Sequence, residues 1–361
     1  MTNSKISDSS DASPLTSDSV KHHYHRPPSF TDLLPWMEYV PESKTFLLED
    51  GVSLGALFEV LPVGCEARTP AFMTQLRDAI QTAINEAIPE RDDAPWVLQI
   101  YVQDEPRLTQ LNALLASYPS PTVRASDYSQ HYQSVMSKHL QAISRPGGLF
   151  DDTTVTGSRW QGQQRRIRVV LYRRLTSNGK SPAAIEVEEA LNDVATKWIA
   201  SLSSAGIKVQ RANGQAFYQW MLSWFNPDPP LADGNPEALL QLAPYPGDDN
   251  LPFGHDFAEQ LTLSMPRSDE ATSSWVFDNM PHTVVTIQSL RRAPDIGHFT
   301  AERQAGDQVF SLFDRLPEHT IMAITLTLKP QDTTRNHIAQ IKRASVGDSA
   351  EASITREDAE Q

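Results

Sequence analysis

The sequence predicts an α+β fold: mixed or antiparallel sheets with packed helices, behind a disordered N-terminal tail. Three observations predict it. Two apolar runs, TFLLE and VSLGALFEVLP, flank Asp50-Gly51, a dipeptide that readily takes the positive φ of a hairpin turn. Phe72, Leu76, Ile80, Ile84 and Ile88 recur every four residues, as one face of a helix does. The last third carries short runs of β-branched residues, HTVVTIQSLRR and TIMAITLTL among them.

Taken in order, residues 1–29 are rich in Ser, Thr and Asp, and too poor in large apolar groups to order themselves. His22, His23 and His25 lie in this tail without an acidic or thiolate partner, so they read as a His-rich stretch and not a metal site. An α+β unit is expected over 30–145. It begins with the hairpin, in which Gly51 makes the turn and Ser53 is a strand residue. The helix follows, opened by Thr69-Pro70 and stopped by Pro89, and then a buried strand at Pro95–Val102. Helices are expected at 107–118 and 127–144, the second with Tyr128, Tyr132, Val135, Met136 and Leu140 on one side. His131 and His139 share its flank as polar positions.

Pro146-Gly147-Gly148 opens a linker over 146–164. A second α+β region is expected over 165–330. Its first strand, RRIRVVLYRRL, alternates Ile167, Val169 and Leu171 with Arg166, Arg168 and Tyr172. A helix at Ala184–Ser204, a short strand at Ile207–Gln210 and a core stripe of Phe217, Trp220, Met221 and Trp224 on Ala216–Phe225 come next. A proline-rich loop spans 226–254; its Asp248-Asp249 pair points to opposite sides of an extended segment and reads as solvated surface. Strands are expected at Ala258–Ser264, Ser274–Phe277, Thr283–Leu290 and Thr320–Leu328. His298 and Glu302 are spaced i,i+4, but spacing suggests no further metal ligand. Residues 331–361 form a polar helical connector that stops without a terminal cap, as if cut within the pattern.

Composition narrows the function classes. The net charge of −14 opposes bulk binding to nucleic acid. The single cysteine, Cys65, makes no internal disulfide and fits a reducing compartment. There is no secretion signal, and no apolar run approaches the ~20 residues that span a bilayer.

Three motifs invite chemistry. Gly51-Val52-Ser53-Leu54-Gly55 matches G-x-S-x-G, the nucleophile elbow of serine hydrolases. The elbow needs a helix directly after the serine, and Pro62 and the β-branched Val60 deny it; the hairpin accounts for the same residues without strain. Gly179-Lys180-Ser181 lies between a strand and a helix, as in a phosphate-binding loop. Position 174 should then be glycine so that N–H groups can wrap a phosphate, and it is Arg174, with Pro182 following. Arg165, Arg166, Arg168, Arg173 and Arg174 are candidate contacts for nucleic acid or an acidic partner, against the plainer reading of a solvated strand face.

Two segments carry a family resemblance: PWMEYVPESKTFLLEDGVSLGALFEVLPVGCEART near the start, and TVVTIQSLRRAPDIGHFTAERQAGDQVFSLFDRLPEHTIMAITLTLKPQDTTRNHIAQIKRASVGDSAEASITRED at the end. Together they are similar to the TraC-type conjugative transfer ATPases of type IV secretion systems, particularly those of integrative conjugative elements. The resemblance implies an N-terminal α+β region ahead of a RecA-like motor. That motor carries Walker A and B motifs, binds ATP with magnesium, oligomerises, and works at the cytoplasmic face of the inner membrane. This chain has no G-x-x-x-x-G-K-[ST] anywhere. No catalytic, cofactor-binding or metal residue is therefore assigned in it, and the family's motor half is expected beyond Gln361. The resulting expectation is a non-catalytic region that docks onto secretion-channel proteins and other subunits, cytoplasmic and peripheral at the inner membrane. The alternatives are a stand-alone nucleic-acid-binding accessory protein using the five arginines and, third, a serine hydrolase.

Overall fold

The computed structural model describes residues 29–344 apart from 66–67, 93, 106–107, 146–149, 153–157, 176–183, 250–255, 288–295, 297–302, 306–307, 311–312, 314–315 and 317–318. The His-rich tail, the Gly179-Lys180-Ser181 loop, Pro146-Gly147-Gly148 and the His298/Glu302 pair lie outside the described residues.

The strands are β1 (Trp36–Val40), β2 (Thr45–Leu48), β3 (Leu54–Val60), β4 (Trp96–Glu105), β5 (Phe150–Asp152), β6 (Ser158–Trp160), β7 (Gln164–Arg173), β8 (Val209–Arg211), β9 (Arg267–Asp269), β10 (Ser274–Phe277), β11 (Met280–His282), β12 (Arg303–Ala305), β13 (Gln308–Phe310) and β14 (Ile321–Thr327). The helices are α1 (Pro70–Ala87), α2 (Thr109–Ser117), α3 (Pro121–Arg124), α4 (Asp127–Ser144), α5 (Ala184–Ser204), α6 (Gly214–Phe225), α7 (Pro236–Leu242) and α8 (Gln331–Ala344).

One seven-stranded sheet organises the chain, in the order β1-β2-β3-β7-β4-β14, and every pairing in it is antiparallel. β8 joins the edge of β3 where β2 has ended, setting Phe58–Val60 against Val209–Arg211. β7 lies between β3 and β4. The sheet therefore runs through the linker expected at 146–164, because its central strand comes from one side of that segment and its neighbours from the other. Smaller antiparallel sheets are β9–β10–β11, β12–β13 and β5–β6.

The central strands β3, β7 and β4 carry helices on both faces, while β14 at the edge stays largely exposed, and strand alternation decides which side chain goes where. Leu54, Ala56 and Phe58 of β3, Trp96 and Leu98 of β4, and Val169 and Leu171 of β7 meet α1 and α5 in one core. Phe58 packs edge-on to Trp198 of α5 at 5.1 Å. The opposite side chains, Leu57, Tyr101 and Val170 among them, meet α6 in a second core, richer in aromatic rings. Burying a side chain such as Leu171 or Leu222 contributes about 1.5–3 kcal/mol, so each face holds many such terms.

α1 begins as its residues dictate: Thr69 Oγ1 accepts from Phe72 N–H and Pro70 occupies the first turn. Its buried face is not the full i,i+4 series. Ala83, Ala87 and Ile88 are buried while Ile80 is exposed. A strict four-residue repeat advances about 40° beyond a full turn at each step, so a long series walks off any straight face.

Several elements differ from expectation. The β2–β3 connection is Glu49–Ser53 and not a two-residue turn, though Gly51 does take φ +70°. Residues 36–40 add a strand before the hairpin. The expected strand at Ala258–Ser264 is overlapped at its start by a 3-10 helix, Phe257–Gln260, capped by Asp256. Thr283–Ile287 pairs with no strand; the rest of that expected strand, 288–290, lies outside the described residues. The proline-rich loop contains α7 and a 3-10 turn at Pro230–Ala232. On α4, Leu140 is buried, but Tyr128, Tyr132 and Val135 are exposed. The expected single stripe divides because 136 and 140 lie on the helix's inner side, while 128, 132 and 135 lie to one flank. No helix among the described residues is long and apolar enough to cross a membrane.

Candidate functional site

The five arginines are ordered by β7 and its neighbours, and each faces a carboxylate. Arg165 holds Asp104 in a two-pronged pair, Nε at 2.9 Å and Nη2 at 2.8 Å. Arg166 donates to Glu59 at 2.7 Å. Arg168 donates to Glu105 at 2.7 Å and lies 3.8 Å from Glu59. Arg173 pairs with Asp92, and Arg174 with Glu49 at 2.5 Å. Register explains the first of these: Asp104 lies directly opposite Arg165, just as Glu59 lies opposite Arg168.

Three guanidinium groups also cover aromatic rings. Arg168 lies over Trp220 at 4.7 Å, Arg173 over Trp96 at 5.0 Å and Arg165 over Phe313 at 4.9 Å. Trp220 is fixed in turn by its Nε1–H, which donates to Gln103 at 3.1 Å. Burial depresses the pKa of Arg168, and Glu105 opposes that shift. The arginines are thus charge-paired on both faces of β7, and Arg168 also meets α6 through Trp220. The acidic half of these pairs, Glu49, Glu59, Asp92, Asp104 and Glu105, was not singled out from sequence. Asp104 and Glu105 at the end of β4 were its one local signal, since a buried arginine row requires carboxylates on adjacent strands.

Ser53 is fully buried. Its Oγ donates to Asp50 and accepts from Leu175 N–H at 2.9 Å. Asp50 also accepts from Ser53 N–H at 2.7 Å and Val52 N–H at 3.0 Å. Burial pushes the Asp50 carboxyl up, but these hydrogen bonds outweigh it and hold the group below the ordinary carboxylate range. With its Oγ buried and no histidine partner among the described residues, Ser53 is a turn and strand-end fastener.

Beside Arg174 the second face of the sheet opens into a cavity of about 370 Å³, walled by Trp36, Phe46, Tyr101, Tyr172, Trp220 and Trp224 among others. Gln99 also lines it, and its Oε1 accepts from Tyr101 Oη–H at 3.1 Å. Asp248 is exposed, as read from sequence, and also accepts a hydrogen bond from Tyr245 at 2.6 Å. No cluster of three potential metal ligands exists among the described residues.

The geometry therefore supplies a sheet whose central arginines are neutralised by its own carboxylates. No curated protein matches the chain. The family model described as TraC protein matches residues 30–361, which takes in every described element of the fold from β1 to α8. The chain belongs to the TraC protein family of conjugative transfer by type IV secretion.

Proposed function

We propose that this chain acts in conjugative transfer as a non-catalytic docking region, joining the TraC assembly to secretion-channel proteins and to other subunits at the cytoplasmic side of the inner membrane. One observation carries the reading: the family match extends over residues 30–361, and those residues contain no phosphate-binding G-x-x-x-x-G-K-[ST] run. On this reading the ATP and magnesium that the family's motor uses are not bound by this chain, which lacks that run. The fold supports the reading in a second way. The basic row that would suit a polyanion is already occupied by its own carboxylates, while apolar groups outside the cores stay exposed.

The test is retention. An affinity-tagged 361-residue chain is applied to detergent-solubilised membranes from donor cells carrying a TraC-type apparatus. The secretion-channel proteins, identified by mass spectrometry, are expected to stay with it. Their absence, with the chain folded by circular dichroism, contradicts docking.

A further inference from the structure

The helices α2, α3 and α4 form a hairpin outside both cores. α2 and α4 run antiparallel, returned by the single turn of α3, and Asn112 Nδ2 donates across the seam to Ser137 Oγ at 3.3 Å. The buried side of the pair is marked by Leu108 at the start of α2 and by Ser129 and Leu140 on α4.

Beside that seam each helix carries an exposed apolar stripe, uncovered by any described residue. On α2 it is Leu111, Leu114 and Tyr118, at i, i+3 and i+7; on α4 it is Tyr128, Tyr132 and Val135, at i, i+4 and i+7. Exposure reaches 89% at Tyr118 and 81% at Tyr128. At about 100° per residue, both stripes lie on the same rotational side of their own seam residues, each followed from N- to C-terminus. In an antiparallel pair that places them on one face. The turn presenting Tyr118 is tied down, because Arg124 Nη2 donates to the carbonyls of Ser117 at 2.7 Å and Pro119 at 3.1 Å.

Charge around this face differs from the rest of the protein. Between 108 and 145 the only carboxylate is Asp127, against Arg124, Lys138 and Arg145, in a chain whose net charge is −14. α2 carries no charged side chain at all.

We propose that the α2–α4 face docks on an anionic lipid surface. Its aliphatic groups and the tyrosine rings enter the headgroup boundary with the phenolic oxygens at the wet side, and the three bases meet lipid phosphates. A second copy fits less well, because a two-fold contact would bring the same three bases and the same lone carboxylate to both sides, with little to pair. The depletion of acid fits a negative surface and keeps repulsion away from this one side of an acidic protein. The inference rests on the docking reading and assigns it a second, protein-free contact.

The experiment is sedimentation of the full 361-residue chain with vesicles of phosphatidylethanolamine and phosphatidylglycerol, or of phosphatidylcholine alone. The comparison variant is Tyr118→Glu with Tyr128→Glu, both highly exposed positions, with matching thermal melts as the control for folding. Wild type is expected to sediment with the anionic vesicles and more weakly with the neutral ones, and the variant to lose about tenfold or more in partitioning. No sedimentation of the wild type, equal binding to both vesicle types, or an unaffected variant overturns the proposal. Because the vesicles contain no protein, a chain that ignores them yet retains secretion-channel proteins loses the lipid contact alone. A chain that binds them but retains no such protein refutes the protein docking.

Discussion

Arg168 donates to Glu105 Oε1 at 2.7 Å, with side-chain exposures of 7% and 12%. Glu59 and the ring of Trp220 surround the same guanidinium, so the pair fastens the two neighbours of β7 and the helix α6 at one point. Arg168→Ala leaves Glu105 buried and unpaired, and the expected loss is about 3–5 kcal/mol in urea unfolding. Glu105→Ala should cost a similar amount, and the double substitution clearly less than the two singles together. Additive losses would show that the two groups do not act as a pair.

The same pairing bears on nucleic acid. With Arg165, Arg166, Arg168, Arg173 and Arg174 each facing a carboxylate, the chain is expected to give no salt-dependent mobility shift with single-stranded DNA. A shift abolished by Arg174→Glu, whose pair is about half exposed, would restore the nucleic-acid reading.

Ser53 predicts a stability effect and no labelling. Ser53→Ala removes the acceptor of Leu175 N–H and a donor to Asp50, for an expected loss of about 1–3 kcal/mol. Asp50 has a folded pKa below its unfolded value. Its contribution is therefore present above the unfolded carboxylate pKa of about 3.9 and is lost as pH falls from there through the folded value. In Ser53→Ala that part of the acid loss should shrink, as read from unfolding midpoints below about pH 5. Reaction of wild-type Ser53 with a fluorophosphonate probe would contradict its buried fastening role.

Gly214, in the first turn of α6, is a packing constraint. A Cβ there would meet the Tyr245 hydroxyl and come within 2.7 Å of Tyr39 Cδ1, both ring systems of the second core. Gly214→Ala is expected to destabilise by about 1–3 kcal/mol through overpacking, against the usual gain from alanine in a helix. An unchanged or raised melting temperature would show that the rings move aside freely.

Much of this was legible in the sequence where local chemistry is strong. Thr69-Pro70 marked the start of α1, and alternation in RRIRVVLYRR separated the two faces of β7 correctly, because a period of two survives any tertiary setting. Partners were less legible. Nothing local states that β7 lies between β3 and β4, about sixty residues from β4 and about a hundred from β3, so the carboxylates that neutralise the arginines stayed hidden. The exposed flank of α4 was also unreadable as such, since Tyr128, Tyr132 and Val135 show the spacing of a core stripe. Only the packing partner decides whether such a stripe is buried.

The most direct measurement is conjugative transfer itself. Donor cells with a working TraC-type apparatus are made to produce the 361-residue chain in graded amounts, and transfer frequency is measured against an Arg168→Ala chain that folds poorly. If the chain docks as proposed, it is expected to occupy the channel contacts, so transfer should fall as the intact chain accumulates and hold steady with the variant. Unchanged transfer at high levels of folded chain would contradict the docking account.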